Sequence, residues 1–218
     1  MAPSAKRVLV LVAAAAAFGT QWLGAPEWRG LVRELAGHPL RRGPWLAAEH
    51  VLIQSTVQAA ACALVWVIAA RLDALPPIRE SLHVREPRKI VLWALIGSAV
   101  IIALVCGVVA AMGQPFAPHS PDGWSVAGNV VSNFYEDFIF SGFVFVVLRR
   151  VTGNSWLAVV GVALLFAAVH TQYPLELRAS IFVSGLIMGV ARVRTDTIWT
   201  VWLVHMISDI VLDALLPV

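Results

Sequence analysis

Hydrophobic residues in this chain come in long unbroken runs. The longest, "IVLWALIGSAVIIALVCGVVAAM" at 90–112, passes 23 positions without a charge. At 1.5 Å per residue, a helix of that length crosses the roughly 30 Å hydrocarbon core of a bilayer with some tilt. Comparable runs at about 8–23, 45–70, 126–148, 155–171, 176–191 and 198–216 predict further spans. The run at 176–191 and the one at 198–216 are shorter or interrupted by polar residues. The pattern predicts an all-α polytopic transmembrane bundle of seven helices, with six and eight as the neighbouring counts. No internal repeat breaks it, so residues 1–218 read as a single integral membrane domain.

Composition agrees, because only 13% of the residues are charged, against about 25% in soluble domains. The net charge of +3 resides in short loops beside spans, where basic residues set orientation, and it implies no nucleic-acid partner. Basic groups cluster at 71–89 (Arg71, Arg79, Arg85, Arg88, Lys89), at Arg149 with Arg150, and at Arg192 with Arg194. These loops are expected to be cytoplasmic, which makes the N-terminus cytoplasmic and the C-terminus external. The opening residues have the basic and apolar regions of a signal peptide but no convincing cleavage site, so a retained first helix is expected. Residues 24–44 run against the charge rule with four arginines; "PEWRGLVRELAG" reads as an interfacial amphipathic helix. Cys62 and Cys106 fall inside expected spans, with neither metal spacing nor a disulfide framework.

Chemistry must then come from polar groups that apolar spans do not carry without cost, since a charge at a helix centre costs about 2.5 to 3.5 kcal/mol on insertion scales. In "SNFYEDFIFSG" at 132–142, Ser132, Asn133 and Glu136, with Asn129 before them, recur at three- and four-residue intervals and share one helix face. Asp137 lies about 100° round from Glu136. In "FAAVH", Phe166 and His170 stand four apart on one face near a helix end. In "HMISD", His205 lies one turn below Asp209, and Asp213 continues the line. Each cluster alone has a plain structural reading: an interfacial histidine, an interhelical pair, a protonated buried acid. Three spans presenting ionisable groups together favour a functional site.

Order and spacing of these motifs resemble the CPBP (CAAX protease and bacteriocin-processing) intramembrane endopeptidases, with Glu-Glu-x-x-x-Arg, Phe-x-x-x-His and His-x-x-x-Asn or Asp. Here they read "EDFIFSG" from Glu136, "FAAVH" to His170 and "HMISD" to Asp209, joined by "SGLIMGVARVRTDTIWTVWLVH". The resemblance covers 126–213 and places a catalytic core in the four C-terminal helices. It departs twice: the second acid is Asp137, and Ser141 occupies the arginine position.

The resemblance implies peptide-bond hydrolysis with Glu136 as general base. His170 would hold and polarise the water, His205 and Asp209 would line the oxyanion site, and Asp137, Asn133 and Phe166 would support them. It favours a glutamic protease without a cofactor. Two histidines and two carboxylates (His170, His205, Glu136, Asp209) also match a zinc inventory, and their spacing does not exclude it. The implied partners are the bilayer and a membrane-anchored protein or peptide substrate, cut near a C-terminal tail or anchor; the implied location is the inner membrane of a bacterium. A degenerate immunity or scaffold protein and a proton-coupled transporter remain open as alternatives.

Overall fold

The computed structural model describes residues 44–121, 123–171 and 173–216. The first expected span and the "PEWRGLVRELAG" segment lie outside them. The described residues form six helices and no strand, within the expected range. Helix α1 is Pro44–Arg71, α2 is Pro87–Ala111, α4 is Ser155–Val169, α5 is Leu175–Thr195 and α6 is Ile198–Leu215. Between α2 and α4, α3 covers residues 123–152 in three parts: α-helix over Gly123–Asp137, π-helix over Phe138–Val144 and α-helix again over Phe145–Thr152. Three described stretches, Pro87–Ala111, Val126–Thr152 and Ile198–Leu215, are long and apolar enough to cross a membrane. This is an integral membrane protein.

Local chemistry sets the turns. Pro87 occupies the first position of α2, where its missing N–H is no loss. Gly153 closes α3 in the left-handed region at φ 69°, and the Asn154 side chain then caps α4 by accepting from the Trp156 N–H at 2.8 Å and the Leu157 N–H at 3.3 Å. Two residues therefore suffice to reverse the chain between α3 and α4.

Short connections alternate the helices and give the bundle two unlike ends. At one end, the α1–α2 connection docks on the start of α6. The Ser81 carbonyl accepts from the Ile198 N–H at 3.0 Å and the Thr197 hydroxyl at 3.2 Å, and the Leu82 carbonyl accepts from the Trp199 indole at 2.8 Å. Arg149, Arg192 and Asp196 meet at this end as well. At the other end, the segment after α2 returns over α6, with the Ala117 N–H on the Leu215 carbonyl and the His119 N–H on the Ala214 carbonyl. The basic clusters among the described residues thus collect at one end. At the far end, Arg178 in the first turn of α5 is the one Lys or Arg among the described residues.

Small residues bring α4 and α5 together. A Cβ at Gly185 would lie 3.0 Å from the Cα and Cβ of Ala163, and one at Gly189 would lie 2.4 Å from Val159 Cγ1. This is the small-xxx-small contact by which membrane helices approach closely. It fixes the height of the α4 C-terminus, and so of His170, against α5. Gly185→Val should therefore destabilise by about 1–3 kcal/mol through overpacking. Gly107→Val, where a Cβ meets nothing within 4 Å, should not. Melting temperatures in detergent compare the two, and equal values would refute the tight α4–α5 contact.

Candidate active site

The polar stripe read from the sequence lines a cavity. Asn129, Ser132, Asn133 and Glu136 of α3 face a space of about 710 Å³, within the range of ligand sites. It runs from Met188 and Phe166 in the middle of the bundle to Gln114, Tyr173 and Leu216 at the end away from the arginines. The site is thus not confined to the four C-terminal helices: Ile101, Val105 and Val109 of α2 form part of the wall. Glu136 is half-buried on that wall and makes no hydrogen bond or ion pair with a described residue. Its carboxylate is available to water.

Asp137, its neighbour, faces elsewhere. It is 1% exposed, lies off the large cavity and takes His205 Nδ1 at 3.3 Å. The 100° step between successive helical residues separates the two acids into different environments. On its other side, His205 Nε2 stands 3.4 Å from Asp209 Oδ2. That same oxygen accepts from Asn133 Nδ2 at 2.8 Å. A chain of side chains, Asp137, His205, Asp209 and Asn133, therefore ties α3 to α6. Both imidazole nitrogens face carboxylates and can donate together only when the ring holds both protons.

His170 ends α4, and its Nδ1 lies 2.6 Å from the Phe166 carbonyl. A carbonyl only accepts, so Nδ1 carries hydrogen and Nε2 is the lone-pair nitrogen of the neutral ring. Phe166 sits among the rings: its centroid is 4.6 Å from His170, 5.6 Å from His205 and 5.3 Å from Phe140. The two histidines are held by one phenylalanine. The structure brings Asn133, Glu136, Phe166, His170, His205 and Asp209 onto one cavity, with Asp137 behind it.

Sequence reasoning missed two residues. Arg192 reads as an orientation signal, yet it is 1% exposed. Its Nε donates to the Ser141 carbonyl at 3.1 Å, Nη2 to the Ser81 hydroxyl at 3.1 Å and Nη1 to Asp196 at 3.2 Å, with the guanidinium 5.0 Å from the Phe145 ring centroid. A cation from α5 thus reaches the position where the motif would place an arginine on α3. It satisfies a carbonyl within the π-helical turn, a feature frequent at functional sites. The second residue is Tyr173, whose ring stacks on His170 at 6.2 Å; its proximity in sequence to His170 was the available signal. No three His, Cys, Asp or Glu side chains among the described residues are grouped as metal ligands.

Apolar membrane helices thus surround a pocket lined by carboxylates and imidazoles. Residues 118–211 match the Rce1-like family, type II CAAX prenyl endopeptidase Rce1-like, over the stretch that carries all three motifs. The match is confined to that stretch and supports, in general terms, the activity of a CAAX-type intramembrane protease. No curated protein and no solved structure matches the chain.

Removing the Asp137 carboxylate should leave His205 Nδ1 buried without a partner. Asp137→Ala is therefore expected to lose on the order of 3–5 kcal/mol, seen as a lower melting temperature in detergent. An unchanged melting temperature would show that the Asp137–His205 pair is not formed.

Proposed function

We propose that this protein is an intramembrane endopeptidase that hydrolyses a peptide bond of a membrane-anchored protein or peptide, with Glu136 as general base. One observation carries this reading: an uncommitted carboxylate on the wall of a cavity that His170, whose Nδ1 is engaged by the Phe166 carbonyl, also lines. Water between them gives one proton to Glu136 while its oxygen bonds to the scissile carbonyl carbon, and the carbonyl π pair becomes the oxyanion. Collapse re-forms the carbonyl and breaks the C–N bond, and the leaving nitrogen takes the proton that Glu136 holds. His170 Nε2 accepts a hydrogen bond from the attacking water and orients it. Asp209, held by His205 and Asn133, shapes the wall opposite.

The end at which the cavity opens bears on substrate. The name of the matched family refers to prenylated CAAX tails, which are cytosolic. In this protein the opening lies away from the arginine-rich end, and basic residues favour the cytoplasmic side. That supports an exported protein's C-terminal anchor entering from outside. The reading uses no metal.

The test is mass spectrometry of protein C-termini in cells carrying the wild type, Glu136→Gln or no copy. The amide keeps the shape of the acid but takes no proton, so the shortened C-termini lost on deletion should also be lost with Glu136→Gln. C-termini unchanged from wild type in Glu136→Gln cells would remove Glu136 as base. On a substrate found this way, the purified enzyme should keep its rate after dialysis against a strong chelator. Stoichiometric zinc lost together with activity would replace this mechanism with a metal-activated water.

A further inference from the structure

Hydrolysis of an amide needs a hydrogen-bond donor where the oxyanion forms. Most donors on the cavity wall are already committed. The hydroxyls of Ser132, Ser180 and Ser208 each donate to a carbonyl of their own helix at 2.7 Å. Asn133 donates to Asp209, His170 Nδ1 faces the Phe166 carbonyl, and His205 stands between two carboxylates. Asp209 as a carboxylate only accepts.

Tyr173 differs from all of these. Its ring lines the same cavity, and its hydroxyl makes no hydrogen bond with a described residue. Local structure explains its placement. The chain leaves α4 at His170, the Tyr173 N–H turns back to the His170 carbonyl at 3.3 Å, and Pro174 then starts α5. The turn lays the phenol ring over the imidazole at an interplanar angle of 21°. Of the other uncommitted donors, Asn129 sits seven residues before Glu136, about 10 Å along α3, and Gln114 lies beyond the end of α2. Ser184 on α5 lines the cavity as well, at 8% exposure, and its hydroxyl makes no hydrogen bond with a described residue, which makes it the competing hydroxyl on this wall among the described residues.

We propose that Tyr173 donates its phenolic O–H to the carbonyl oxygen of the scissile bond and holds the oxyanion as it forms. This rests on the reading of Glu136 as base, and it adds a fifth group to the catalytic set. The electrostatics suit a donor. Partial burial raises the phenol above its ordinary value, and the carboxylates of Asp209 and Glu136 raise it further, so the proton stays on oxygen at neutral pH. The ring also lies nearly parallel to His170, with 6.2 Å between centroids, so the proposed donor stands beside the group that orients water.

The test uses full-length enzyme in proteoliposomes and a quenched fluorogenic peptide spanning a cleavage site mapped in cells. Tyr173→Phe keeps the stacking ring and removes only the hydroxyl. It should lower kcat by about 10- to 100-fold and leave KM within about twofold. Ser184→Ala and Gln114→Ala, which remove the other uncommitted donors of the same wall, should fall well short of that loss in kcat. A ring-fluorinated tyrosine at 173, whose phenol is more acidic, should make the rate fall with rising pH where the wild type stays level, because the donor is lost as it ionises. A ring acting only by packing would produce no such shift. Wild-type kcat in Tyr173→Phe, a loss confined to KM, or the loss appearing in Ser184→Ala instead would overturn the proposal. Activity in the wild type but not in Glu136→Gln, measured alongside, keeps a failure of this inference separate from a failure of the base.

Discussion

His205 held between two carboxylates is the interaction on which the rest of the site depends. Asp137 approaches one ring nitrogen from α3 at 3.3 Å and Asp209 approaches the other from within α6 at 3.4 Å. Ionisable groups this deep among apolar helices are costly unless paired, and the pairing fixes where α3 stands against α6. It also separates Asp137 from Glu136. One acid is consumed in holding an imidazole, so the other remains uncommitted on the cavity wall. A buried pair of this kind is weak evidence of stability for its own sake, because well-packed apolar residues of similar volume often do as well. Its consequence is orientation.

A second constraint operates about one turn further along α3, at Ser141. Arg192 joins the π-helical part of α3 through the Ser141 carbonyl, the α1–α2 connection through Ser81, and the turn before α6 through Asp196. This end of the bundle is closed by hydrogen bonds and by aromatic packing of Trp66 against Phe138 and Phe143. The other end holds the cavity. A bundle tied at one end and open at the other gives water a route to mid-membrane without breaking the apolar surface that faces lipid.

Much of this was legible in the sequence, for physical reasons. The apolar runs at 90–112, 126–148 and 198–216 became Pro87–Ala111, Val126–Thr152 and Ile198–Leu215, because length and the scarcity of charge are what a bilayer selects, whereas the run at 155–171 became the shorter helix Ser155–Val169. The stripe from Asn129 to Glu136 was legible because the helical period places those residues on one face. The π-helical turn was not legible, since hydropathy carries no information about hydrogen-bond register. Arg192 was misread because a charge beside a span looks the same in sequence whether it snorkels to water or turns inward. Tyr173 was missed because its place depends on a turn that folds it over His170, which no periodicity reveals. The α2 wall of the cavity was missed because Ile101, Val105 and Val109 resemble residues that face lipid.

The central claim is that Glu136 stands in water that enters from the end opposite the arginines. It is tested most directly by substituted-cysteine labelling in a background with Cys62 and Cys106 changed to alanine. Glu136→Cys should react with a membrane-impermeant thiol reagent added outside intact cells, whereas Ser141→Cys, buried at 7% exposure near the closed end, should not. A Glu136→Cys that stays unlabelled, or that reacts only in inverted vesicles, would contradict the account.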